Sequence, residues 1–216
     1  GHNRPLLLGY DAASGQPITG SWERLYTAGI GGLQGSGKTW AAVFLLAQSA
    51  LQGGKLILCD PHAHDPESLA ARLAPMSAAL LCDVASDDRS ILAALKLADS
   101  KLQGRNGGTI PGRWPIVCAI DEWLALRRGK LADELPPLVE GFSTEGRKLG
   151  CYALLLAQRW DKDAVGDFRN TLASSYVYRM RPAEARMMPG LQGGAVPDDT
   201  MTLEPGTCYL LDTRGD

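Results

Sequence analysis

The residues Gly32-Leu33-Gln34-Gly35-Ser36-Gly37-Lys38-Thr39 follow the spacing Gly-x-x-x-x-Gly-Lys-Thr. This is the pattern of a loop that cradles phosphates. Glycines let successive backbone N–H groups turn inward around phosphate oxygens. A helix opening near Gly37 adds the positive end of its dipole. The backbone from Gly32 to Trp40 is therefore the expected nucleotide-binding stretch. Lys38 brings a charge to the β- and γ-phosphates, and Thr39 offers a hydroxyl to Mg²⁺.

Asp121-Glu122 forms a second constellation, directly after the apolar run Ile116–Ile120. In open α/β sheets, ligands lie beyond the carboxyl ends of the strands. Asp121 at such an end can orient Mg²⁺ and its waters. Glu122 can polarise an attacking water, which suits hydrolysis rather than transfer to another acceptor. The competing reading makes Glu122 an ordinary acid in the first turn of a helix. With the phosphate loop upstream, the pair points to a magnesium-dependent NTPase.

Two further residues flank the apolar run Tyr152–Ala157. Gln158 follows it, either as a surface glutamine or as a group that bonds the γ-phosphate or the attacking water. Arg147 precedes it, either as a solvated arginine or as a finger for a neighbouring subunit's nucleotide.

These residues need elements to position them. Leu6-Leu7-Leu8 and Ile18-Thr19, separated by turn formers, predict an N-terminal β-hairpin. Leu25–Ile30 predicts a short strand leading into the loop. Trp40, Val43, Phe44, Ala47 and Leu51 mark one helical face, and Gly53-Gly54 ends that helix. Strands are expected at 55–60, 79–82, 116–120, 152–157, 175–179 and 208–211. Helices are expected at 67–73, 86–102, 135–148 and 182–188. Alternating strands and helices, with near-continuously apolar strands, predict an α/β sheet that is mostly parallel and covered on both faces.

The chain has 216 residues and a net charge of −2, from 22 basic and 24 acidic residues. That charge excludes a uniformly basic nucleic-acid binder, so any polyanion must be gripped by a local patch. No run of roughly 18 apolar residues suggests a membrane span. The five cysteines show no ligand spacing and read as reduced core residues, which fits a cytoplasmic protein. His62 and His64 beside Asp60 and Asp65 match no metal-ligand spacing. Residues 1–4 are expected to be a tag remnant and disordered start, and 5–216 a single domain.

Taken in order, these motifs resemble the motor domain of the FtsK/HerA superfamily of DNA-pumping ATPases. The sequence runs Gly-Ser-Gly-Lys-Thr, then Cys59-Asp60-Pro61-His62, Ile120-Asp121-Glu122, and Glu145-Gly-Arg-Lys-Leu-Gly150 before a strand ending in Gln158-Arg159. Members often carry proline after the Gln-Arg pair, where this chain has Trp160. The resemblance implies a RecA-like P-loop core that uses ATP and Mg²⁺. It assigns Lys38 and Thr39 to phosphate and metal, Asp121 and Glu122 to metal orientation and water activation, and Gln158 to sensing. It makes Arg147 an arginine offered in trans within a homo-oligomer, usually a hexameric ring around duplex DNA.

For such a translocase, Arg127, Arg128 and Lys130 are candidate phosphate contacts, as are Arg105 and Arg113. They lack a base-reading motif, so contact independent of sequence is expected. The alternative is an ATP-dependent assembly or switch module that acts on protein partners without pumping DNA.

Overall fold

The structure, a computed structural model, describes residues 4–110, 114–160, 165, 172–188 and 199–212. Arg113 and residues 1–3 of the expected tag remnant lie outside the described residues.

The chain opens with a hairpin of β1 (Leu6–Tyr10) and β2 (Pro17–Gly20), paired antiparallel. Its turn is held by Asp11, whose carboxylate accepts from the Ser14 N–H and hydroxyl. The strand expected from Leu25 starts later. Residues Trp22–Leu25 form a short helix, α1, capped by Ser21, and β3 covers Ala28–Gly31. The serine hydroxyl accepts from the Arg24 N–H, which favours a helical turn over extension.

After the phosphate loop come α2 (Lys38–Leu51), β4 (Lys55–Cys59) and α3 (Leu69–Leu73). The strand expected at 79–82 is absent. Ala74–Ala79 is a 3-10 helix, and Leu80 makes only an isolated bridge to Leu56. Next are α4 (Asp88–Asn106), β5 (Ile116–Ile120) and α5 (Trp123–Arg127). A capping box between Asp87 and Ser90 starts α4.

The helix expected over 135–148 is broken into α6 (Leu135–Thr144) and α7 (Gly146–Leu149). At Gly146 a Cβ would stand 2.1 Å from the Cys151 carbonyl oxygen, so only glycine allows the chain to fold back this tightly. The remaining elements are β6 (Cys151–Ala157), β7 (Ser174–Val177), α8 (Pro182–Ala185) and β8 (Tyr209–Asp212).

Six strands make one sheet in the order β4-β5-β6-β3-β7-β8. All neighbours are parallel except β7 and β8. Two apolar clusters cover its two faces. One packs Trp123, Phe142, Trp160 and the inner side of α4 on the sheet. The other packs Trp22, the inner side of α2 and the hairpin on the opposite face. Burial on both sides is why these strands read as unbroken apolar runs. Trp160, at the position where proline was noted for the resembling family, is fully buried against β3. Its ring fills the space where a Cβ on Gly29 would sit, 2.4 Å away.

Among the described residues, no helix is long and apolar enough to cross a membrane. All five cysteines are free, three buried and two partly buried.

Candidate active site

The sheet order brings the separate motifs together. Strand β6 lies between β3, which feeds the phosphate loop, and β5, which ends at Asp121. In register, Gly31 pairs with Ala157 and Ile120 with Leu155. The loop, Asp121-Glu122 and Gln158 therefore emerge side by side from the same edge of the sheet.

Gly37 has φ of 116°, a left-handed conformation that a side chain would resist, and α2 begins immediately after it. Lys38 folds back over the loop. Its Nζ donates to the Gly32 carbonyl at 2.8 Å and the Leu33 carbonyl at 3.1 Å. Burial pushes its pKa down, while the charges of Glu122 and Asp121 push it back up. Trp40 is exposed at the start of α2. A turn missed in the sequence reading braces the loop from the far end of the chain. The Gly206 N–H donates to the Ser36 carbonyl at 2.9 Å. The turn-forming Glu204-Pro205-Gly206 was its available sequence signal.

Asp121 is held by β4, donating its N–H to the Cys59 carbonyl at 2.9 Å. Its Oδ1 accepts from the Glu122 N–H, also at 2.9 Å. Burial raises its pKa to about 6; Asp60 and Glu122 add to the rise, while the Glu122 N–H bond and Lys38 oppose it. A half-buried carboxylate facing other acids is a group that gains from a cation. No cluster of three or more metal-ligating side chains occurs among the described residues. The donor set fits Mg²⁺, which keeps several waters and is held by one or two protein oxygens together with phosphates. Thr39 and Asp121 would be the protein ligands.

Glu122 caps α5 with φ of 50°, a strained left-handed conformation for a residue with a side chain. Such strain at a strand end is common where geometry serves a site. Gln158 Nε2 lies 3.4 Å from Glu122 Oε1. The two side chains thus face one another across the β5–β6 boundary.

Asp60 has a different position from the other acids. It is fully buried, and its two oxygens accept from the His62 and Ala70 N–H groups, both at 2.9 Å. It fastens the start of α3 and adds negative charge behind Asp121.

Arg147 is exposed on α7, before β6 begins. Gln158 lies just past the other end of this seven-residue strand. At about 3.3 Å per residue, the strand alone separates them by roughly 20 Å. Arg147 therefore stands at the sheet edge opposite its own chain's phosphate loop.

The basic candidates divide. Arg105 is a correction: it is buried, and its guanidinium donates to the Leu149, Gly150 and Trp114 carbonyls at 2.7, 2.9 and 2.8 Å. It is a structural tie and is closed to DNA. Arg127 is half-buried and donates to the Ala132 carbonyl in its own loop. Arg128 and Lys130 are exposed.

This arrangement of loop, sheet order and converging strand ends is an α/β P-loop fold, and solved structures of ATPases share it. No protein-family model matches the chain, and no curated protein is similar in sequence. Solved structures are similar. The pCW3 conjugation coupling protein TcpA, a monomer form with ATPγS, superposes with TM-score 0.70 at 15% identity over 85% of this chain and 57% of that one. The cytoplasmic domain of the type VII secretion ATPase EccC from Thermomonospora curvata gives 0.70 at 18% identity, covering 96% and 27%. The genome packaging NTPase B204 of Sulfolobus turreted icosahedral virus 2, with AMP, gives 0.57 at 18% identity, covering 87% and 92%. The chain spans about a quarter of EccC and little more than half of TcpA.

Proposed function

We propose that this chain is the ATP-hydrolysing motor domain of a DNA translocase, working with Mg²⁺ as a homo-oligomeric, hexameric ring on duplex DNA. The observation that carries the ATPase reading is the meeting of Lys38, Asp121, Glu122 and Gln158 at one edge of the sheet. Loop N–H groups and Lys38 hold the phosphates. Lys38 leaves its carbonyl partners to do so. Thr39 and Asp121 would hold Mg²⁺, which would supply charge neutralisation at the phosphates. Glu122 takes the proton of the attacking water. Gln158, in contact with Glu122, senses the water or the γ-phosphate and passes the change to β6. The loop bearing Arg128 and Lys130 starts one short helix after Glu122, so movement at the acid reaches residues able to hold DNA phosphate. Arg147 has the position of a group offered to the neighbouring subunit.

The test is ATPase rate with and without long duplex DNA across a salt series, with Glu122→Gln as the blank. DNA stimulation that fades with salt is expected, because phosphate contacts release counterions. Hydrolysis indifferent to DNA, in an assembled protein, would remove the DNA reading. A protein-directed module is the second reading, favoured by the similarity to EccC, which has also been solved with a signal sequence peptide. It predicts DNA-independent hydrolysis.

A further inference from the structure

Tyr26 holds a backbone conformation that its side chain opposes. It follows α1 with φ of 59° and ψ of −120°. Those angles belong to the first central position of a type II′ turn, where glycine is the usual residue. A tyrosine there is strained, and strained residues cluster at functional sites. The hydroxyl shows what the strain secures. It donates to the Ser143 carbonyl, 117 residues further along the chain. Ser143 is buried in the last turn of α6, and the last carbonyls of a helix lack partners within it. Tyr26 also directly precedes the approach to β3, the strand that feeds this chain's own phosphate loop. The end of α6 is thereby set against a central strand of the sheet.

This bond lands on the corner that carries Arg147. Arg147 and Lys148 follow on α7, and both are exposed. Arg105 fixes the far side of the corner, donating to the Leu149 and Gly150 carbonyls at 2.7 and 2.9 Å. The Asn106 amide donates to Glu145 Oε2 at 3.3 Å. Trp22 of α1 stacks on Tyr152 of β6, with ring centroids 5.9 Å apart, which docks α1 on the strand leaving the corner. The ties fall on both sides of Arg147 and leave Arg147 itself to solvent. A group offered to another subunit must keep its tip free, so its precision comes from the backbone beneath it. The demand is high, because a misplacement of about 1 Å at a reacting centre can cost about 10²-fold in rate.

We infer that Tyr26 is a positioning residue for Arg147. Its hydroxyl fixes the α6–α7 corner, so that Arg147 meets the neighbouring subunit's nucleotide in one geometry. Arg105 steadies the same corner from its other side. The inference rests on the role of Arg147 in trans proposed above.

The experiment uses the full chain as assembled protein and reads ATPase rate. Tyr26→Phe keeps the ring and removes only the hydroxyl. Alone, it should lower kcat about fivefold, the scale of one hydrogen bond, and leave KM for ATP unchanged. Mixed with an excess of Glu122→Gln, each Tyr26→Phe subunit faces a neighbour whose Arg147 is correctly held. Its rate per Tyr26→Phe subunit should then return toward that of the parent. A hydroxyl that serves only its own subunit's fold or site gives no such return. Arg147→Ala mixed with Glu122→Gln is the control. Recovery in the control without recovery of Tyr26→Phe, or a Tyr26→Phe kcat equal to the parent's, overturns the positioning role and keeps the role in trans. No recovery in the control, with assembly intact, overturns both.

Discussion

The Gln158 amide stands 3.4 Å from the Glu122 carboxylate, joining the ends of two strands that are distant in sequence. This pairing gives the two residues separable effects. Glu122→Gln should lower turnover by about 10²–10⁴-fold, the typical contribution of a positioned base, while nucleotide binding persists. Gln158→Ala should lower kcat about tenfold with little change in KM, since it removes one hydrogen bond made in the reacting state. Steady-state kinetics with a parallel binding measurement separates the two.

The strained backbone of Glu122 has a measurable cost. At φ of 50° glycine is at ease and alanine is not. Glu122→Gly should be more stable than Glu122→Ala by about 1 kcal/mol in chemical denaturation. Equal stabilities would show that the left-handed conformation is not kept in solution.

Asp121 ties stability to pH. Its carboxyl rises from 3.8 to about 6 on folding, chiefly through burial. The folded state therefore binds a proton that the unfolded state has lost, and stability falls as pH rises through that window. The full penalty is present above about pH 6. Asp121→Asn, measured with EDTA, should be more stable than the parent by up to about 3 kcal/mol at pH 8. The advantage should shrink as pH falls toward 4. Denaturation midpoints at both pH values check the sign.

Arg147 lies at the far edge of the sheet from its own phosphate loop, which restricts any role at a nucleotide to a neighbouring subunit. Arg147→Ala and Glu122→Gln proteins, each inactive alone, should regain part of the ATPase activity when mixed. Absence of recovery, with assembly intact by light scattering, would count against the role in trans.

Arg105 and the Arg128–Lys130 pair should part company. Arg105→Lys cannot reproduce a fork that satisfies three carbonyls, and should cost about 3 kcal/mol of stability. Arg128→Ala with Lys130→Ala should leave stability within about 0.5 kcal/mol and flatten the salt dependence of DNA stimulation. Thermal melts and the ATPase salt series read the two effects.

Local chemistry was legible in the chain because it is local. The phosphate loop, the apolar run into Asp121-Glu122 and the strand ending at Gln158 each depend on a few adjacent residues, and all stand where such elements were expected. The same holds for the hairpin and for the body of α4, although its cap is Asp87 and its helix starts at Asp88 rather than Ser86. Readings failed where distant contacts outweighed the local pattern. Ala79–Cys82 looked like a strand, but Leu80 finds a single partner at Leu56. The apolar spacing from Trp40 to Leu51 marked a helical face of α2, but the residues that enter the core are Ala42, Leu45, Leu46 and Ser49. Arg105 beside a glycine-rich stretch read as a candidate phosphate contact, but three carbonyls converge on it.

The sequence by itself determined the chemical parts: a loop of N–H groups and lysine, two adjacent acids, a glutamine at a strand end, and the alternation that makes an α/β sheet. Their order across the sheet was decided only in three dimensions. Inserting β6 between β3 and β5 sets Gln158 beside Glu122, and the return of residues 204–207 braces the loop from the far end of the chain. The physical reason is range. Propensity and spacing act over a few residues, whereas strand order follows from burying two apolar faces at once, a condition that only the whole chain can satisfy.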